Sequence, residues 1–267
     1  MTTAESLPIH RLTAFNTASA SDNKIHDDEV AAKLGFTGGL VPGVDVYAYL
    51  CHPLLDLWGE RFFTEARTTV SLTSPIYDGD AVEVRAERAA DGAITVVAHT
   101  EAGARAKLEA RLVPDAAVPG PLRRQPIPAT RPPATPQTLA PGTVLATFTT
   151  SCPAAEAGHY LADIRDESCP TEAWGVVHPG WLLRRGNEAL TRSVLLPPWI
   201  HVGSVSQHHR SLALGEDVTV TAEVRDNFDR KGHLFVRADV LLSGADGSAV
   251  CSIDHTAIYQ TRQLRDV

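Results

Sequence analysis

The sequence lacks most of the marks by which a protein class is read at sight. Its four cysteines, Cys51, Cys152, Cys169 and Cys251, stand far apart with no Cys-x-x-Cys pair, which argues against a zinc site or a redox dithiol and for free, buried thiols. No run approaches the roughly 18 apolar residues of a membrane-crossing helix, so no membrane partner is expected. The opening stretch, MTTAESLPIHRL, has neither the basic n-region nor the apolar h-region of a secretory signal, and a soluble, cytoplasmic protein is expected. Cations are outnumbered, 24 Lys and Arg against 32 Asp and Glu, for a formal charge of -8. Nucleic acid is therefore a poor partner, because its backbone is gripped by clustered cations. Neither Gly-x-Gly-x-x-Gly nor Gly-x-x-x-x-Gly-Lys-Ser/Thr occurs, so no nucleotide cofactor is implied.

What is present is a globular composition, 43% hydrophobic and 21% charged over 267 residues, enough for one large or two ordinary domains. The composition breaks once. Residues 113–142 hold nine of the 18 prolines, and proline at that density removes backbone donors and fixes φ, as in an extended surface connector. The chain divides there into residues 1–112, the connector 113–142, and residues 143–267.

The same order of signals recurs on either side. The turn Val41-Pro42-Gly43 opens an apolar helical stretch, residues 43–58. Alternating apolar and polar residues follow at 64–73, 82–86, 94–99 and 107–112, with the turn Asp78-Gly79-Asp80 between. Beyond the connector, Val177-His178-Pro179-Gly180 opens a helix reaching about Val194, and strand-like segments follow at 200–212, 218–222, 234–242 and 249–259. Pro42 to Pro179 spans 179 − 42 = 137 residues and Gly79 to Gly215 spans 215 − 79 = 136, so one register nearly serves both landmarks and an internal duplication is expected. One long helix followed by a meander that wraps it is an α+β arrangement, here doubled.

Residues 21–32, SDNKIHDDEVAA, and 35–43, GFTGGLVPG, resemble the signature of MaoC-like (R)-specific enoyl-CoA hydratases. In that family the pattern is roughly Asp-x-Asn-Pro-Leu/Ile-His-x-Asp, a short alanine-containing helix, then Gly-Phe-x-x-x-Ile/Val-His-Gly. Asn23, Ile25, His26, Asp28, Gly35, Phe36, Val41 and Gly43 fall on it in register. The resemblance implies a double hotdog, two tandem repeats in which an antiparallel sheet wraps a long central helix. It implies hydro-lyase activity on an enoyl thioester of CoA or a carrier protein, or on a related unsaturated carbonyl, up to bulky polyketide-like or steroid-like substrates. It also implies His26 as general acid/base, Asn23 as its positioning residue and the Gly43 amide as oxyanion donor. Val41 and Tyr47 are expected beside the substrate, Tyr47 near the pocket mouth one turn after Gly43. The family's catalytic aspartate falls on Ser21, with Asp22 one residue later as the candidate heir. Lys24 replaces the usual proline and Pro42 the usual histidine.

Several simpler roles stand beside these. Asp27 and Asp28 precede a helical run and suit helix capping, and Gly43 after proline suits a turn. Tyr49, Trp58 and Trp181 suit the core. His178, His201, His208 and His209 show no metal-ligand spacing, and neighbours on a strand face opposite ways; no metal is expected. The second half has no Asn-x-Ile-His and reads as a degenerate repeat that shapes the cavity. Two other activities remain open: a hotdog thioesterase or cyclase using another acid such as Asp45 or Glu188, and a non-catalytic acyl-binding subunit. Fused repeats are compatible with a monomer or a homodimer.

Overall fold

The computed structural model describes residues 5–265. Eleven strands form one continuous sheet: β1 (Glu5–Ser6), β2 (His10–Thr13), β3 (Ala66–Leu72), β4 (Ala81–Arg88), β5 (Ile94–Thr100), β6 (Gly103–Leu112), β7 (Phe148–Thr150), β8 (Ile200–His208), β9 (Val218–Arg230), β10 (His233–Gly244) and β11 (Ala249–Gln260). The order is β1-β4-β5-β6-β3-β8-β11-β10-β9-β7, with β2 also on β4, and every pairing between these strands is antiparallel. The helices are α1 (Asp28–Lys33), α2 (Gly43–Trp58), α3 (Arg61–Glu65), α4 (Ala154–Asp163), α5 (Pro179–Ser193) and α6 (Arg262–Arg265). Among the described residues no helix is long and apolar enough to cross a membrane.

The order is symmetric about its centre. In each half the first strand after the long helix, β3 or β8, lies at the middle, and the other three run outward as β6-β5-β4 or β11-β10-β9. β3 and β8 pair with each other, from Arg67 opposite Gln207 to Ser71 opposite Gly203. The two halves thus share one sheet.

The strands form because their sequences alternate. In β3, Ala66, Thr68 and Val70 are buried while Arg67, Thr69 and Ser71 are exposed, the period of two that a one-faced sheet needs. The buried side faces α2, which is apolar on nearly every face: Val44 to Cys51 and Pro53 to Leu55 are all buried, as befits a central helix. Helices α2 and α5 cross closely at Ala48 and Gly180, where a Cβ on Gly180 would lie 2.7 Å from that of Ala48. All four cysteines are free and buried. Residues 113–142 carry no helix and no strand of the sheet.

Some boundaries differ from the sequence expectation. The segment expected as strand from residue 64 starts at Ala66, because Arg61–Glu65 closes a helical turn. The strand expected to reach residue 212 ends at His208. β9 runs on to Arg230 through a polar, charged stretch that pairs with β10. Helix α4 had no clear signal beforehand, and neither did β1 and β2.

One buried ion pair ties the two long helices together. Asp45 on α2 has a fully buried side chain; its Oδ1 accepts from Arg184 Nε and Nη2 on α5 at 3.0 and 2.8 Å, and its Oδ2 from Thr17 Oγ1 at 2.6 Å. Removing Asp45 leaves Arg184, one-quarter exposed, and the Thr17 hydroxyl without their partner. Asp45→Ala is expected to cost about 3 kcal/mol, read as a lower urea midpoint at unchanged slope.

Candidate active site

The residues that carry the resemblance are gathered by a loop folded on itself. A single 3-10 turn over Lys24–His26 follows Asn23, whose side chain caps it by accepting from Ile25 N–H. The segment 38–40 returns alongside: Leu40 N–H donates to Ile25 O at 3.2 Å, and a Cβ on Gly39 would lie 2.1 Å from the His26 carbonyl oxygen, so only glycine fits there. Asp28 Oδ1 accepts from Gly39 N–H at 2.7 Å, while Asp27 caps α1 through Val30 N–H at 3.0 Å. Of the two capping candidates, Asp27 caps and Asp28 staples the loop.

Asn23 fixes the imidazole. Its Oδ1 accepts from Trp199 N–H at 3.1 Å and its Nδ2 donates to Trp199 O at 3.0 Å. That two-point bond to the second half sets which end of the amide is which. The other Nδ2 hydrogen faces His26 Nε2 at 3.3 Å, and on the far side of the ring His26 Nδ1 lies 2.6 Å from Leu40 O. A carbonyl can only accept, so Nδ1 carries the proton and Nε2 holds the lone pair. Burial lowers the His26 pKa below the ordinary 6.5, against smaller pulls from the Leu40 carbonyl and Asp45. The side chain is a neutral imidazole whose basic nitrogen, Nε2, accepts only the long contact from Asn23.

Beside it stands the start of α2. Pro42 at the N-cap makes no side-chain bond to the first amides; Asp45 and Val46 N–H donate to Pro42 O, which leaves the amides of Gly43 and Val44 at the positive end of the helix dipole without a cap. The contrast with α5 is direct, because His178 Nδ1 there accepts from Gly180 N–H at 3.0 Å and closes the helix end. A cavity of about 200 Å³ lies against the open end, lined among others by His26, Val41, Gly43, Val46, Asn187 and His201. A wider cavity of about 680 Å³ shares Asn23, His26, Pro42 and Trp199 with it, and carries Arg131, Arg184 and Arg192 on its wall.

Other expected residues lie elsewhere. Asp22 is exposed and faces only the wider cavity; among the described residues no carboxylate bonds to His26. Ser21 Oγ donates to Asn23 O at 3.3 Å and Lys24 Nζ to Ser21 O at 3.0 Å, so the loop is tied through its backbone. Tyr47 is not at the pocket mouth. It is 1% exposed, and its hydroxyl lies 3.1 Å from Thr68 Oγ1 on β3, because that face of α2 turns to the sheet, and Val46 lines the cavity in its place. The alternative acids are committed: Asp45 to Arg184, and Glu188 to Arg185 at 2.7 Å and Arg192 at 3.5 Å.

The histidines of the second half disperse. His178 caps α5, His208 is buried beside Phe62 and Phe63, and His209 Nε2 lies 3.1 Å from Ser252 Oγ. Two groups of metal-ligand type meet at Asp166, one with His10 and His52 and the other with Cys169 and His178. Neither suits an ion. The His10 and His52 rings stack with centroids 3.7 Å apart at 17°, whereas a metal lies in the plane of each imidazole that binds it. His178 Nδ1 accepts a hydrogen bond from Gly180 N–H, so in the neutral ring Nε2 carries the proton and has no lone pair. Sequence reasoning missed Asn187, His201 and Trp199 as wall residues; they belong to the half without a motif.

No protein-family model and no curated protein sequence matches the chain. Its likeness is to solved structures. A MaoC domain protein dehydratase from Chloroflexus aurantiacus superposes at a TM-score of 0.62 and 11% identity over 98% of this chain and 96% of that one. A double-hotdog protein of Mycobacterium tuberculosis superposes at 0.63 and 12% identity over 97% and 96%. The chain is a double hotdog. An oleoyl thioesterase from Lactobacillus plantarum superposes at 0.55 and 11% identity over 97% and 98% of the two chains.

Gly43 in the double hotdog is held by contact rather than by turn geometry. A Cβ there would meet Leu72 Cδ1 at 2.4 Å, and the His201 ring Nδ1 and carbonyl oxygen at 3.1 and 3.3 Å. Leu72 can rotate away, but the β8 backbone cannot. Gly43→Ala is expected to lose about 1–3 kcal/mol by overpacking, measured by chemical denaturation, and to block the helix end.

Proposed function

We propose that the chain is a hydro-lyase acting on an enoyl thioester or a related unsaturated carbonyl. One observation carries this: a neutral imidazole whose unprotonated Nε2 has only a long, 3.3 Å contact from Asn23 Nδ2, and a helix N-terminus without a side-chain cap, line the same cavity. In the hydration direction, His26 Nε2 takes a proton from water and the hydroxyl oxygen bonds to the β-carbon. The Cα=Cβ electron pair moves toward the carbonyl, and the resulting oxyanion is met by the Gly43 N–H at the positive end of α2. The enolate then re-forms the carbonyl as its α-carbon takes the proton back from His26. Dehydration is the same path reversed.

Asn23 holds the imidazole, and Val41 borders the acyl group. With Ser21 at the family's carboxylate position and Asp22 exposed, His26 carries both proton steps. The smaller cavity, about 200 Å³, suits a short acyl group rather than a steroid-like one. The wider cavity, about 680 Å³ and open to His26, suits the pantetheine arm of CoA or a carrier protein, with Arg131 the one arginine of its wall that holds no carboxylate.

A second reading, a non-catalytic acyl-binding subunit, draws on the lack of any carboxylate partner for His26 among the described residues. The test is the loss of enoyl absorbance with crotonyl-CoA. Turnover is expected, falling about a hundredfold or more in His26→Ala. Saturable binding of crotonyl-CoA by calorimetry with no turnover would transfer the assignment to the binding subunit. The pH profile follows from the imidazole. A lowered pKa keeps Nε2 unprotonated below the ordinary value of 6.5, so the acid limb of kcat/KM is expected below that value, and a limb at or above it would contradict His26 as the base.

A further inference from the structure

The pairing of β8 with β11 slips by one residue: His201 stands opposite Ala257 and Gly203 opposite Thr256, with Val202 unmatched. The bulge breaks the alternation of the strand. His201 and Ser204, three residues apart, both turn inward and are each 5% exposed. His201 reaches the smaller cavity. Its Nδ1 has no hydrogen-bond partner among the described residues and lies 3.1 Å from the point that a Cβ on Gly43 would occupy.

The other side of the ring is wired inward. His201 Nε2 is 2.9 Å from Ser204 Oγ, which is 3.0 Å from His255 Nδ1, and the two rings stack with centroids 4.4 Å apart. A hydroxyl between two imidazoles donates to one and accepts from the other. Were Ser204 to donate to His255, the proton of His255 would sit on Nε2; in the opposite direction the proton of His201 sits on Nδ1, and each of these nitrogens is buried without a protein partner. Of the two, His201 lines the cavity, where a bound carbonyl can accept from Nδ1–H. Burial, with His255 adding to it, lowers the His201 pKa well below 6.5 against a smaller pull from the Gly203 backbone, so the ring is a neutral donor.

We infer that His201 Nδ1–H is a second oxyanion donor beside the Gly43 N–H, contributed by the repeat that lacks the motif, for the carbonyl of an acyl thioester. The inference rests on the hydro-lyase reading of the same cavity. No proton leaves His201: its N–H bond stays intact while electrons from Cα=Cβ gather on the carbonyl oxygen it bonds. The proton of water still passes to His26 and on to the α-carbon. Two donors from two repeats would explain why the second half keeps a buried polar triad without a catalytic motif.

The experiment is His201→Phe, which keeps an aromatic ring and removes the donor. The turnover number with crotonyl-CoA is expected to fall about a hundredfold with KM nearly unchanged, and His201→Gln, which restores an N–H, to recover part of it. Wild-type kcat in His201→Phe, in an enzyme that His26→Ala inactivates, overturns the His201 assignment and leaves the hydro-lyase reading standing. Should the wild type not turn over crotonyl-CoA, that reading fails by itself, and the infrared carbonyl stretch of bound crotonyl-CoA decides. A downshift on binding that His201→Phe abolishes supports the donor, and an unshifted or equally shifted carbonyl removes it. Ser204→Ala covers a Phe variant that does not fold: it unties Nε2 and is expected to give an intermediate loss, whereas full activity with an unchanged carbonyl stretch also removes the assignment.

Discussion

The antiparallel pairing of β3 with β8 is the constraint on which the rest of the molecule depends. Each half has four strands around one long helix, a three-stranded meander with the first strand, β3 or β8, added beside the last rather than beside the second as a simple meander would have it, and each half alone would leave that strand as a bare edge. Joined there, the halves make one sheet whose buried face holds α2 and α5 side by side. The same seam brings β8 against the start of α2, which is how Gly43 of one half comes to touch His201 of the other. Buried polar bonds then fix the relation of the halves: Asp45 with Arg184 between the helices, Asn23 with Trp199 at the loop, and His52 Nδ1 at 2.9 Å from Asp166.

The repeats are alike in topology and opposite in how they end their helices. Pro42 cannot cap, so the first amides of α2 have no side-chain partner, whereas His178 spends its ring nitrogen on Gly180. A duplicated fold thus holds one open helix end and one closed one. The distinction is a matter of a single side chain, since the turn before each helix is otherwise similar, Val-Pro-Gly against Val-His-Pro-Gly.

Much of the fold was legible because it rests on period and punctuation. The spacing of 136 to 137 residues between turns and the alternation in β3 to β6 lead to two helix-and-strand repeats without reference to any contact, but not to the return of the first strand of each repeat beside its last. The loop around Asn23 and His26 was legible only through resemblance. What stayed hidden depends on long-range geometry. The bulge at Val202 turns His201 inward, and no alternation rule anticipates a slip. Tyr47 looked suited to the pocket because it sits one turn from Gly43, but the rotation of α2 is set by packing on Thr68. The polar stretch in β9 reads as a loop until β10 pairs with it. Asp22 sits one residue from the expected carboxylate, and the tie of Asn23 to Trp199 holds the loop in a register that leaves it outside.

The central seam also bears on how the chain reaches this state. Arg67 and its partner Gln207 are 207 − 67 = 140 residues apart, so the seam closes a long loop and its formation is slow relative to the local hairpins on either side. Until it closes, each half displays a bare strand edge of the kind that recruits other chains. Two nascent molecules could complete one another there, first half to second half, with the proline-dense connector crossing between them. Production of this protein at high concentration therefore carries a risk of strand-exchanged dimers, and slow, dilute refolding favours the self-paired monomer.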